Sequence, residues 1–177
     1  MFISASTVLE SQLARSLGLD RYAEIMHGDP SSEVFQRLFN GYYKIRRNEE
    51  WRRIYYSLFI QAKAKCFSFE QIVTDLYAAT GNVEASFSSK MLATINPAMP
   101  IWDQYVLQNL GIELTGKTQE EKLHSAVRVY SAIVHWYKEY LATNEAKQNI
   151  KEFDLLLPDY SWISDVKKID CLLWSMR

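Results

Sequence analysis

Glycine, proline, cysteine and long apolar runs are all scarce in this chain, and neither sign of charge is in excess. Its 177 residues include six Gly, four Pro and two Cys. No stretch approaches the roughly 18 consecutive apolar residues of a membrane-spanning helix, so no membrane partner is expected. The opening residues Met1-Phe2-Ile3-Ser4-Ala5-Ser6 lack a basic segment followed by an apolar one. A secretory leader is therefore not expected, and a cytoplasmic location is the default. Cys66 and Cys171 lie far apart without a CxxC or histidine-spaced partner, which argues against a structural zinc site and for two reduced, buried thiols. Lys and Arg number 20 against 21 Asp and Glu, a net charge of −1. A nucleic-acid surface would thus have to gather its basic residues on one face. No Walker-type loop, HExxH, GxSxG, GxGxxG, internal repeat or low-complexity tract occurs, so no cofactor or metal is implied.

Aromatic residues are plentiful, at 14% with five Trp and eleven Tyr, enough for a thick helical core or for a pocket that takes flat ligands. Apolar residues recur at helical spacing along most of the chain, and no β-branched run alternates as a strand. The expectation is an all-α, single compact domain over residues 1–177, built from about eight to ten helices. Residues 4–17 read as a first helix ended by Gly18, and Asp20 to Met26 as a short second one. Ser31 or Ser32 caps a third, with Val34, Phe35, Leu38, Phe39, Tyr42 and Tyr43 on one face. Ser68-Phe69-Glu70-Gln71 and Thr118-Gln119-Glu120-Glu121 have the pattern of capping boxes, and the second opens the longest stripe, Leu123 to Leu141. Lys147 to Leu157 and Ser164 to Met176 complete the set. His124 and His135 stand eleven residues apart on the long helix, too far to share a metal.

Two constellations carry chemistry. Between Lys44 and Arg53 five basic residues surround Trp51; Arg46, Arg47, Arg52 and Arg53 suit phosphate contact, or pair with Glu49 and Glu50 on a solvated helix junction. Residues 86–112 hold the second. Lys90 follows Phe87 by three positions and leans toward an apolar face, where an amine loses its proton more readily and becomes a nucleophile for carbon. Asn96-Pro97 and Met99-Pro100 then turn the chain, and Asp103 is placed to cap a helix carrying Val106, Leu107 and Leu110. An amine beside a carboxylate suits attack on a sugar C1′, the carboxylate stabilising an oxocarbenium-like transition state. The alternative is a snorkelling surface lysine and a plain helix cap. Asp170 flanks an apolar stripe and needs a partner: an ion pair, a loop backbone, or a place as second carboxylate in the central site.

Ser88-Ser89-Lys90-Met91-Leu92-Ala93, followed by Pro100-Ile101-Trp102-Asp103-Gln104-Tyr105-Val106 and Leu110-Gly111, resembles the lysine-then-aspartate segment of the helix-hairpin-helix DNA glycosylases, 8-oxoguanine glycosylase-like proteins in particular. The resemblance covers about 25 residues, and Phe87 and Ser88 stand where that family has hairpin glycines. It implies DNA as partner, Lys90 as the Schiff-base lysine and Asp103 as the catalytic aspartate. Trp51, Trp102 or Trp174 would stack an extruded base. The competing expectation is a non-catalytic helical interaction or structural protein in which Lys90 and Asp103 form a structural pair. Nothing indicates a protein partner or homo-oligomer.

Overall fold

The computed structural model describes residues 18–175. Over that span the chain is all-α, without a strand. The described helices are α1 (Leu19–Met26), α2 (Glu33–Tyr42), α3 (Glu49–Lys65), α4 (Phe69–Thr80), α5 (Ala85–Ile95), α6 (Gln104–Leu110), α7 (Gln119–Leu141), α8 (Asn144–Leu156) and α9 (Asp165–Ser175), with a 3-10 turn at Pro158–Tyr160 before α9. The helix expected over residues 4–17 lies outside the described residues, as does Met176. No described helix is long and apolar enough to cross a membrane.

Local chemistry explains most of the boundaries. Ser32, Ser68 and Thr118 each accept a hydrogen bond from the backbone N–H three residues on, satisfying a donor that the first turn leaves unpaired. At Thr118 the box is complete, because Glu121 Oε2 accepts from the Thr118 N–H; at Ser68 only the serine half forms. Asn48 and Thr143 cap α3 and α8 in the same way, so α8 starts at Asn144 rather than at the expected Lys147. Gly81 ends α4 at φ 73° and returns its N–H to the Tyr77 carbonyl, a left-handed conformation that costs glycine little.

One hydrophobic core joins the helices. Phe35 and Phe39 of α2 interlock with Tyr55, Tyr56 and Phe59 of α3, with ring centroids 5.5 to 6.4 Å apart. Each fully buried ring of this kind stabilises the fold by roughly 1.5–3 kcal/mol. Helix α3 packs on α4 and α5, and α4 on α7, while α9 touches α6, α7 and α8.

Helix α9 departs from the one-sided pattern of its sequence. Lys167 and Lys168 are buried along with Val166, Ile169, Cys171, Leu172 and Leu173. Buried ammonium groups persist only when paired. Lys168 reaches Asp154 of α8 at 2.8 Å, and Lys167 reaches Asp170 at 2.6 Å. The cysteines also divide. Cys171 is buried as expected, but Cys66 is exposed, because it ends α3 in a left-handed conformation with φ 54°.

Candidate active site around Lys90

Helix α5 supplies the lysine and a serine ladder that grips the segment leading to Asp103. The Ser89 hydroxyl accepts from the buried Trp102 N–H at 2.8 Å and donates to the Ser86 carbonyl at 2.9 Å. One turn back, the Ser86 hydroxyl donates to the Trp102 carbonyl at 3.2 Å. Both backbone groups of Trp102 are thereby tied to α5, and Asp103, the next residue, is carried to the lysine's side of the helix. Tyr130 of α7 donates to the Pro100 carbonyl at 2.8 Å, and Ser164 donates to the Pro97 carbonyl. The proline-punctuated turn is clamped from three directions.

Lys90 Nζ donates to the Ser86 hydroxyl at 2.8 Å. It stands 5.1 Å from the centre of the Phe87 ring and 5.8 Å from that of Tyr43. Burial pulls the amine below the ordinary lysine value, against the opposing attraction of Asp103 and Asp170. The side chain keeps partial contact with solvent. Asp103 immediately precedes α6, and its carbonyl accepts from the Leu107 N–H as the helix begins.

Asp170 forms the ion pair that was one of the roles open to it. Its carboxylate is paired with Lys167 at 2.6 Å, and it also lies within electrostatic reach of Lys90. Lys167 lies 5.1 Å over the Tyr22 ring. Burial opposes its charge, and Asp170 together with the neighbouring Cys171, Tyr42 and Tyr43 outweighs burial, holding its pKa well above the ordinary lysine range. A cavity of about 10 Å³, the space of about one water molecule, is lined by Tyr22, Tyr43, Ala93, Lys167 and Asp170 among others. The buried hydroxyls of Tyr43 and Tyr137 have no hydrogen-bond partner among the described residues.

The basic stretch meets this centre at one point. Arg47 lies 5.6 Å over both the Trp51 and Phe87 rings and forms an ion pair with Glu84 at 2.7 Å. Phe87 therefore has Arg47 and Lys90 as cationic neighbours. Arg46 and Arg53 are exposed and Arg52 half-buried. Among the described residues no ion pair joins these three to Glu49 or Glu50.

The three tryptophans separate. Trp51 is buried and stacked on Tyr55 at 4.9 Å. Trp102 is buried and lies parallel to Phe69 at 6.5 Å. Both are committed to the core, because the elements that carry them need apolar anchors there; Trp174 is 44% exposed. His124 and His135 are exposed on α7. Among the described residues no cluster of three metal-ligating side chains occurs.

Comparison with known proteins finds no matching family model, no similar curated protein and no similar solved structure. What the site can do follows from its own geometry. Sequence reasoning missed Ser86, Ser89, Tyr43 and Lys167. Ser86 carried a usable signal, since it sits four residues before Lys90, one helical turn away on the same face. Tyr43 and Lys167 carried none, because their proximity arises only from packing.

Proposed function

We propose that this protein acts on DNA as a glycosylase-like lyase, with Lys90 as the nucleophile toward C1′ of a damaged or abasic sugar. The observation that supports it is the desolvated Lys90 amine, hydrogen-bonded to a neutral hydroxyl, near two carboxylates and one ring away from Arg47. A depressed lysine pKa supplies the free lone pair that carbon attack requires. The neutral amine adds to the sugar aldehyde carbon to give a carbinolamine. Loss of water, with proton transfers, then leaves a protonated imine, a cation that the Asp103 carboxylate stabilises. Exposed Arg46 and Arg53, with Arg52 and Arg47, supply phosphate contacts at the rim. Two core-committed tryptophans favour an abasic sugar over an intact extruded base as the substrate.

Borohydride trapping with abasic duplex tests this reading. Hydride reduces the imine to a stable secondary amine, so a covalent protein–DNA adduct is expected from the wild type, absent in Lys90→Gln and diminished in Asp103→Asn. A folded wild type that traps no abasic or lesion-bearing duplex sinks the proposal.

The small size of the cavity favours one other reading, in which Lys90, Asp103, Asp170 and Lys167 form a charge cluster that sets the mutual register of α5, α6 and α9 in a non-catalytic module. On that reading Lys90→Gln lowers the melting temperature, and the wild type forms no adduct.

A further inference from the structure

Helix α9 carries Lys167 and Asp170 one turn apart, joined at 2.6 Å, with side chains only 10% and 13% exposed. Tyr43 neighbours Lys90, its ring lying 5.8 Å from the Lys90 ammonium. Tyr43 lines the same small cavity as Lys167 and Asp170, together with Ala93 on Lys90's own helix. The charged or titratable groups that face Lys90 are Asp103 at the start of α6, Asp170 on α9 and Tyr43 after α2, with Ser86 below it on α5. Asp170 has Lys167 beside it as a cation.

We propose that Lys167 is a positioning residue for the Lys90 amine: by holding the Asp170 carboxylate in a buried ion pair, it withholds a second counter-charge that would make Lys90 an inert structural ammonium. A cation at 2.6 Å offsets much of the carboxylate's field at any more distant group. Lys90 is left with a hydroxyl, two rings, Asp103 and the residual attraction of Asp170, surroundings that do not fully offset burial of the ammonium. For its purpose this arrangement rests on the lyase reading, since a structural lysine gains nothing from being kept reactive.

The test uses no DNA. Trace acetylation of the full chain with acetic anhydride, followed by peptide mass spectrometry, gives the pH midpoint of Lys90 labelling. Lys167→Met frees Asp170 and removes a like charge, so the midpoint is expected to rise by roughly one pH unit, about a tenfold loss of labelling at fixed pH below it. Asp170→Asn leaves the Lys167 charge unanswered, and the midpoint is expected to fall by a similar amount. Mere loosening of the packing rehydrates Lys90 and raises the midpoint in both variants. A downward shift in Asp170→Asn that exceeds that of the double variant Lys167→Met/Asp170→Asn decides the matter even where Lys167→Met alone fails to fold, because loss of Asp170's own attraction is common to both. Unchanged midpoints in folded variants, or a rise in Asp170→Asn, overturn the proposal. Opposite shifts without any borohydride-trapped DNA adduct leave the tuning intact and remove only the lyase reading.

Discussion

The Ser86 hydroxyl accepts a hydrogen bond from the Lys90 ammonium at 2.8 Å while giving its own proton to the Trp102 carbonyl. One small side chain thus holds the amine and the strand of chain that leads to Asp103. Ser86→Ala removes both bonds, one of them charge-assisted, and a loss of about 1–2 kcal/mol is expected. Urea unfolding checks this as a lower midpoint at unchanged slope. An unaltered midpoint means that water replaces the hydroxyl without cost.

Ser89 supports a more enclosed group. Ser89→Ala leaves the buried Trp102 N–H without its acceptor, at an expected cost of about 1–3 kcal/mol. The loss should exceed that of Ser86→Ala measured in the same buffer, because the Lys90 ammonium retains partial access to water and the Trp102 amide does not. The reverse order argues against Ser89 as the main anchor of the turn.

Lys90 should imprint a pH dependence on stability. Its folded pKa is lowered from the ordinary 10.5. Below the folded value the amine is charged in both states and the burial penalty is fully present; above 10.5 it is neutral in both. Between the two the unfolded chain binds more protons, so folding gains stability as pH rises. The stability of the wild type relative to Lys90→Met should therefore increase from the lowered value up to about 10.5. A difference that stays flat through this window refutes the shift.

The tyrosines act in the opposite direction. Burial pushes the Tyr22 phenol up to about 12 and raises Tyr43, Tyr55, Tyr130 and Tyr137 as well. A group with a raised folded pKa contributes stability that is complete below its unfolded value, near 10 here, and lost as pH rises above it. Alkaline titration should therefore end in cooperative unfolding, with most tyrosinate absorbance appearing together with loss of helical circular dichroism. Gradual ionisation while the helices persist contradicts this.

Residues near one another in sequence determined much of this protein. Ser32, Ser68 and Thr118 begin their helices because a side-chain oxygen satisfies a nearby N–H, whatever the rest of the chain does. Apolar spacing placed Lys90 toward the interior for the same local reason. The prolines turn the chain so that Asp103, at the onset of α6, lies near enough to attract the Lys90 ammonium. Tertiary structure decided the rest. Asp170 lies eighty residues beyond Lys90 in sequence, and only the enclosure of α9 by α6, α7 and α8 brings its carboxylate, with Lys167 attached, to the back of the site. Trp51 and Trp102, open to use as stacking platforms by composition, became core residues because packing exhausted their faces. Helical periodicity reports which side of an element turns inward. Which partner meets it there depends on long-range packing, and so does the difference between Lys167, with a carboxylate at 2.6 Å, and Lys90, whose amine donates to a neutral hydroxyl.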